Sequence, residues 1–364
     1  DNGGGIENAG GTVTLNFSTV TRNTATDAGG GIASATFDPS SVAKLTLNFS
    51  RVTDNSQTAG PASPNSVGGG GIVSILGTTT LNVSQVSGNT AMGFVGGGIA
   101  NGDYISFSGT SSFLTLNNSQ VNGNTAPNAG GGGIQNLLGT VTVNNSQVNG
   151  NTSLNGGGIS SGNGNGGIPP GTSHLILNRS QVNGNTATAP VPQPGSMSGP
   201  PIAAGGIANG GVAVLNSTQV NNNTASHTSG GGIVNHGTMT LANSQVTGNT
   251  AAGSGIVASG GGIISAQGEP GSARTTLTLI NSRVTFNRAG GDGGGIANGV
   301  PLPGPMPLVG GALKLVNSLV IGNRAAAGGG LFNNLGTVTL VNALIIANHP
   351  DNCEPTGTIT GCRN

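Results

Sequence analysis

The stretch Leu116–Ala126 reads LNNSQVNGNTA. Nearly the same letters stand at Leu81–Ala91 (LNVSQVSGNTA) and at Leu177–Ala187 (LNRSQVNGNTA). A phrase that returns every few tens of residues indicates a repeat protein, in which each repeat is one structural unit packed against its neighbours. The structure of one repeat therefore decides the fold of the chain.

All repeats share one internal spacing. A glycine run followed by an aliphatic residue, such as GGGI at Gly96–Ile99, opens the repeat, and an aliphatic anchor such as Leu116 follows. Apolar residues alternate with other residues around the anchor, which is the period of strands and not of helices. An asparagine stands eight residues after the anchor in each of eleven repeats: Asn23, Asn55, Asn89, Asn124, Asn151, Asn185, Asn223, Asn249, Asn287, Asn323 and Asn348.

Such short units cannot supply the long crossovers of a flat parallel sheet. Winding each repeat into one coil of a solenoid pairs every strand with its counterpart one coil on. We therefore predict an all-β parallel β-helix over residues 1–348, with about eleven coils and three short strands per coil.

The recurrent asparagines are predicted to form a structural ladder. Asn tolerates left-handed backbone geometry at a tight turn, and stacked amides can hydrogen-bond to one another or to the turn backbone. Such bonds satisfy polar groups that would otherwise be buried without partners.

A second ladder is predicted two residues after the aliphatic residue that follows each glycine run. Its members are Asn8, Ser34, Ser74, Asn101, Asn136, Ser161, Asn209, Asn235, Ser265, Asn298 and Asn333.

The two cysteines stand close together in DNCEPTGTITGC, near the end of the chain. Two cysteines that close a short loop predict a disulfide, Cys353–Cys362, and an oxidising, extracellular compartment. Free thiols are the alternative. Residues 349–364 are predicted to form a C-terminal cap closed by this disulfide.

The pattern GGGI…N…TLNNSxVxGNTA resembles the right-handed parallel β-helix repeats of the pectate-lyase-like superfamily, especially Gly/Asn-rich repeat proteins secreted by bacteria. The resemblance covers nearly the whole chain and implies a right-handed solenoid. It does not imply one function, because enzymes, adhesins and structural proteins share this fold.

For an enzyme, the resemblance to pectate lyases implies acidic residues clustered around calcium and a basic residue that removes a proton. The acidic residues here occupy different repeat positions: Asp27, Asp38, Asp54, Asp103, Glu269 and Asp292. The histidines His174, His227, His236 and His349 are equally scattered. No catalytic residue, metal site or cofactor is therefore predicted.

Charge and hydropathy limit the partners. The chain of 364 residues carries ten basic and ten acidic side chains, so nothing in its charge favours nucleic acid. No apolar run approaches the roughly 20 residues that span a bilayer, and no membrane insertion is expected. The opening DNGGGIENAG lacks Met and the n- and h-regions of a signal peptide, so we expect any secretion signal to be already removed or to lie outside this sequence.

Several surface rows are also predicted. Arg22 and Asp54 share one repeat position in adjacent coils and should stack as an ion pair. Asn-x-Ser/Thr sequons recur because both letters belong to the repeat. Thr-x-Thr pairs before the anchor resemble ice-binding faces, although β-propensity explains them more simply. An exposed glutamine row is expected at Gln85, Gln120, Gln147, Gln181, Gln219 and Gln245.

Together these features predict a non-enzymatic extracellular structural β-solenoid, at the cell surface or in a head-to-tail fibre. The chain begins in register with a glycine run and shows no N-terminal cap. Either residues upstream of this sequence cover the first coil, or another molecule does, and the second alternative predicts end-to-end self-association. The alternative is a β-helix that binds or cleaves polysaccharide, including cell-surface polysaccharide, through a groove bordered by inserted loops. These loops lie at residues 35–43, 57–67, 102–113, 162–173, 187–204, 251–260, 266–275 and 299–311. Ice binding is the third hypothesis.

Overall fold

A computed structural model describes residues 2–36, 41–59, 68–93, 96–102, 112–162, 173–189, 202–253, 258–267, 274–301, 309–355 and 357–364. These residues form two compact units, the first ending at Gln181 and the second beginning at Val182. No α-helix occurs within these ranges. Accordingly, no helix of the described chain is long and apolar enough to cross a membrane.

The first unit consists of short strands. They are β1 (Ile6–Ala9), β2 (Thr12–Asn16), β3 (Thr19–Thr21), β4 (Thr24–Ala25), β5 (Ile32–Ala35), β6 (Ala43–Asn48), β7 (Arg51–Thr53), β8 (Ser56–Gln57), β9 (Ile72–Ile75), β10 (Gly77–Asn82), β11 (Gln85–Ser87), β12 (Thr90–Ala91), β13 (Ile99–Gly102), β14 (Phe113–Asn117), β15 (Gln120–Asn122), β16 (Thr125–Gly130), β17 (Ile134–Leu137), β18 (Thr140–Asn144), β19 (Gln147–Asn149), β20 (Thr152–Asn155), β21 (Ile159–Ser161) and β22 (His174–Asn178).

Strand β23 (Gln181–Asn183) begins at the last residue of the first unit. The second unit continues with β24 (Thr186–Thr188), β25 (Ile207–Asn209), β26 (Val212–Asn216), β27 (Gln219–Asn221), β28 (Thr224–Ser226), β29 (Ile233–Asn235), β30 (Thr238–Ala242), β31 (Gln245–Thr247), β32 (Thr250–Ala252), β33 (Ile263–Ser265), β34 (Thr276–Ile280), β35 (Arg283–Thr285), β36 (Arg288–Ala289), β37 (Ile296–Asn298), β38 (Ala312–Val316), β39 (Leu319–Ile321), β40 (Leu331–Asn333), β41 (Thr337–Val341), β42 (Leu344–Ile346) and β43 (Cys353–Glu354).

Within each unit the strands belong to four parallel sheets. In the first unit, sheet A runs β1-β5-β9-β13-β17-β21, sheet B β2-β6-β10-β14-β18-β22, sheet C β3-β7-β11-β15-β19 and sheet D β4-β8-β12-β16-β20. In the second unit, the orders are β25-β29-β33-β37-β40-β43, β26-β30-β34-β38-β41, β27-β31-β35-β39-β42 and β24-β28-β32-β36. One strand from each of sheets A, B and C makes one coil, and most coils add a strand of sheet D.

The predicted fold class is confirmed: the chain is an all-β parallel solenoid, and it passes through sheet B eleven times. Residues at equivalent positions of successive repeats pair in register, for example Leu81 with Leu116 and Gln85 with Gln120. Sheet D adds a fourth strand to the three that were predicted. Its strands are short, with only two residues in β4, β8 and β12, so their period could not be recognised in the sequence.

Aliphatic side chains from sheets A, B and C stack inside the coils. The anchors Leu47, Leu81 and Leu116 are fully buried, as are Ile72 and Ile99 of sheet A. Burying each such side chain stabilises the fold by about 1.5–3 kcal/mol, and every coil repeats the contribution. Regular stacking of one residue type thus replaces the mixed packing of a globular core.

In the inner coils, sheet A is buried on both of its faces. Every described residue of strands β9 and β13 is buried, whereas sheet B strands alternate buried and partly exposed residues. In the first unit the outer face of sheet A carries a second apolar cluster that includes Ala33, Val73 and Ala100. The second unit has its own, which includes Val234, Ile264 and Val300. Sheet A is therefore the least solvated side of each unit.

Candidate functional site

Hydrogen bonds connect the predicted ladder asparagines of the first unit. The buried Asn89 donates from Nδ2 to Asn124 Oδ1 (2.9 Å) and to the carbonyl of Val52 (3.0 Å), and its backbone N–H donates to the same Asn124 Oδ1 (3.0 Å). Its own Oδ1 accepts the side-chain and backbone N–H groups of Asn55, both at 3.0 Å. The same pattern joins Asn23 to Asn55 and Asn124 to Asn151. Each amide is thus held from both neighbouring coils.

In the second unit an equivalent ladder runs from Asn185 through Asn223, Asn249, Asn287 and Asn323 to Asn348, with side-chain amide contacts of 2.9 Å. These contacts confirm the predicted ladder in both units. Every bond between two ladder asparagines has the same direction, from the N–H groups of one coil to the Oδ1 of the following coil.

The ladder of the second unit continues into two asparagines that the repeat does not predict. Asn348 donates to Asn352 Oδ1 from its backbone N–H (3.1 Å) and from Nδ2 (3.2 Å). Asn364 Oδ1 then accepts the backbone N–H groups of Asn352 (2.9 Å) and Cys353 (2.7 Å). Asn352 lies four residues after Asn348, outside the repeat spacing, so only the irregular path of this segment brings it into the row.

The predicted disulfide is present. Cys353 and Cys362 are bonded, with 6.3 Å between their Cα atoms. Cys353 belongs to β43, which pairs with Leu331 of β40 and so extends sheet A. The disulfide therefore connects the last strand of that sheet to the segment that carries Asn364.

Members of the predicted second ladder also contact one another across coils. In the first unit Asn8 Nδ2 donates to Ser34 Oγ (3.0 Å) and Asn136 Nδ2 to Ser161 Oγ (3.1 Å). In the second unit Asn209 Nδ2 donates to Asn235 Oδ1 (2.9 Å), and Asn298 Nδ2 donates to Asn333 Oδ1 (2.8 Å). This row fixes the turn between sheets A and B.

Two further ladders explain the recurrent sequons. The sequon asparagines form an outer amide row in the first unit, in which Asn82 Nδ2 donates to Asn48 Oδ1 (2.9 Å) and Asn117 Nδ2 to Asn82 Oδ1 (3.0 Å). The sequon serines lie buried beside them: Ser84 donates from Oγ to the carbonyls of Leu47 and Asn82, and its N–H donates to the next serine Oγ. Both letters of the sequon are therefore structural.

The acidic residues do not form a metal site within the described ranges, where no group of three or more His, Cys, Asp or Glu side chains could hold an ion. Asp292, Asp351 and Glu354 interact in the second unit: burial and the charge of Glu354 raise the pKa of both Asp292 and Asp351. Asp38, Asp103 and Glu269 lie outside the described residues, as do most positions of the inserted loops.

The four histidines occupy different repeat positions, and the side chain of His236 makes a hydrogen bond to the backbone of the next coil. His236 Nδ1 lies 2.8 Å from the carbonyl oxygen of Ala266. Burial lowers the pKa of His236, so its neutral form is favoured next to this carbonyl. The contact ties the A–B turn of one coil to the equivalent turn of the next.

Arg22 and Asp54 lie at equivalent positions of adjacent coils, but the Asp54 side chain does not point toward Arg22. Both residues have positive φ, 56° in each case, at the corner between sheets C and D. A carboxylate oxygen of Asp54 lies 2.5 Å from the position that a Cβ on Gly88 would take. The Asp54 side chain therefore leans over the glycine of the following coil and away from the coil of Arg22.

The threonine row of sheet B is interrupted in the first unit. Thr12, Lys44 and Thr78 pair in sequence, and Phe113, Thr140 and His174 continue the row. A charged, an aromatic and an imidazole side chain thus break the regular threonine face that the ice-binding hypothesis requires.

Exposed apolar residues mark the corner between sheets B and C. Phe17 and Phe49 are 80% and 54% exposed, and their rings stack with centroids 5.1 Å apart and an interplanar angle of 6°. Val83 follows in the row at 49% exposure. All three have φ between 48° and 50°, a conformation in which Asn is the ordinary choice and a β-branched residue is an outlier.

This geometry gives a testable stability effect. Replacing Val83 by Asn should raise the free energy of unfolding by about 1 kcal/mol, because the left-handed conformation costs a β-branched residue more than Asn. The reciprocal Asn118→Val exchange, one coil further at φ 50°, should lower it by a similar amount. Urea unfolding followed by circular dichroism measures both. Equal midpoints for V83N and the parent would contradict the argument.

No family model matches the chain, and neither a curated protein nor a solved structure is significantly similar to it. The parallel β-solenoid is therefore shown by the structure alone, and membership of the pectate-lyase-like superfamily stays a prediction from the repeat pattern.

Proposed function

We propose that the protein is a non-enzymatic extracellular structural solenoid, placed at the cell surface or in a fibre of copies joined head to tail. The observation that carries the proposal is the buried asparagine ladder, in which each amide is bonded to the coils before and after it. Together with in-register backbone pairing, the ladder distributes an axial load over many equivalent hydrogen bonds.

The head-to-tail arrangement follows from the periodicity of these contacts. Parallel pairing, the amide row and the Phe17–Phe49 stack all join one coil to the next by the same geometry. The backbone pairing and the amide row of the first coil can be continued by a second copy, whose C-terminal segment with Asn352 and Asn364 would face it. Such heterologous association need not close into a ring and so gives a fibre.

The extracellular placement is supported by the disulfide. Cys353 and Cys362 are bonded, and stable disulfides persist in oxidising compartments.

Electron microscopy of the purified chain over a range of concentrations tests the proposal. We expect unbranched filaments that lengthen with concentration. Phe17→Asp should shorten them by placing charge on the first coil. Phe286→Asp changes an exposed Phe of an inner coil, at the corner between sheets C and D, and should have little effect. Isolated particles at every concentration would contradict the fibre, and release of soluble sugars from a polysaccharide would contradict the non-enzymatic role.

A further inference from the structure

One row of sheet D changes its chemistry within the second unit. The residue after each ladder asparagine is Thr at positions 186, 224 and 250, but it becomes Arg288, then Arg324, then His349. Parallel pairing places Arg288 opposite Thr250, Arg324 opposite Arg288, and His349 opposite Arg324. The sequence thus brings two guanidinium groups to equivalent points of adjacent coils.

This juxtaposition is unfavourable for the isolated protein. Adjacent parallel strands are about 4.8 Å apart, and like charges directly opposite one another destabilise a sheet. Both arginines are exposed, and in the described part of the chain neither guanidinium has a hydrogen-bond or ion-pair partner. Asp292 does not neutralise them, since its pKa is raised by burial and by Glu354, whereas a guanidinium contact would lower it.

The two arginines line a cleft of about 390 Å³. The rest of its wall is made of small residues from three coils, within Thr250–Gly253, Ala289–Gly290 and Ala325–Ala326. The backbone N–H groups of Ala289, Gly290, Ala325 and Ala326 are already bonded to carbonyls of the coil stack. Together with the Thr250 hydroxyl, the guanidinium groups are therefore the side-chain donors that this cleft offers to a ligand.

We propose that the Arg288–Arg324 cleft binds a tetrahedral oxyanion, a phosphate or sulfate group, free or carried as a monoester by a larger molecule. Each guanidinium presents a planar fork of N–H donors. One fork suffices for the two oxygens of a carboxylate, whereas the additional oxygens of a tetrahedral anion can accept from both forks. The cleft is larger than an isolated oxyanion, which leaves space for the group that carries it. The inference is independent of the structural role proposed above.

Calorimetric titration of the full chain tests this site with inorganic phosphate, sulfate and acetate at constant ionic strength. We expect saturable binding of phosphate or sulfate with a Kd of about 1 mM, and binding of acetate at least about tenfold weaker. Glucose 6-phosphate and glucose 6-sulfate, with glucose as the blank, then distinguish the two monoester classes.

Variants assign the binding to the two arginines. R288Q/R324Q should weaken it at least about tenfold, and R288K/R324K, which keeps the charge but loses the forks, should weaken it by about threefold. The matched control R283Q/K314Q removes two exposed positive charges from the same two coils, on sheets C and B, and should leave the affinity unchanged. Absence of saturable binding, equal losses in all double variants, or acetate binding as tight as phosphate would overturn the proposal. Circular dichroism confirms that each variant is folded.

Discussion

Replacing Gly97 by alanine should prevent one coil from closing, with a loss of more than about 4 kcal/mol in the free energy of unfolding or failure to fold. A Cβ at this position would stand 2.5 Å from the carbonyl oxygen of Gly132 and 2.6 Å from the carbonyl carbon and oxygen of Thr125. These are backbone atoms of paired strands and turns, so they cannot move aside as a flexible side chain would. Glycine is required here because two stretches of backbone approach closely.

Gly123 of the same coil provides the control. Its φ is 64°, but nothing lies within 4 Å of the position that a Cβ would take. Gly123→Ala should therefore cost only the left-handed backbone penalty, about 1–2 kcal/mol. Comparison of soluble yield and urea unfolding midpoints for the two variants separates steric exclusion from backbone conformation. A Gly97→Ala protein as stable as Gly123→Ala would show that the coils can shift apart.

Replacing the ladder residue Asn124 by alanine should lower the free energy of unfolding by about 3–5 kcal/mol. The substitution removes the acceptor of the Asn89 backbone and side-chain N–H groups, and the donor to Val86 O and Asn151 Oδ1. Asn124 is fully buried, so water cannot readily satisfy the groups left behind. The loss should spread to both neighbouring coils.

Asn117→Ala is the matched comparison, since Asn117 belongs to the outer amide row of the same coil and is partly exposed. Water can replace its contacts, and we expect a loss of about 1 kcal/mol or less. Amide hydrogen exchange of the neighbouring coils should accelerate strongly in Asn124→Ala and little in Asn117→Ala. Similar exchange rates in the two variants would argue against a special role of the buried row.

Much of the fold follows from the sequence because the repeat encodes it twice. The alternation around anchors such as Leu81 and Leu116 specifies which side chains face inward, and the constant distance from anchor to asparagine specifies the register. The ladder could be predicted for the same reason: an amide at the same turn of every coil is stacked by the coil spacing. The disulfide could be predicted from the short sequence separation of Cys353 and Cys362 alone.

Other features depend on contacts that the repeat pattern of the sequence does not encode. Asn352 and Asn364 join the ladder through an irregular segment, and most strands of sheet D have only two or three residues, too few to show alternation. The outer face of sheet A is buried by Ala33, Val73 and their neighbours, although Ala and Gly there give no clear apolar signal. The Arg288–Arg324 cleft has no signal in the sequence, because its two charges stand 36 residues apart and meet only through the parallel register.

The asparagine ladder has a direction. Between two ladder asparagines the N–H groups always donate to the Oδ1 of the following coil, while in the outer row of the first unit Asn82 and Asn117 donate to the Oδ1 of the preceding one. A reversed copy would therefore confront donors with donors in one row and acceptors with acceptors in the other. Any assembly that continues these rows is polar, with two chemically different ends, and should grow at unequal rates from each, as cytoskeletal filaments do.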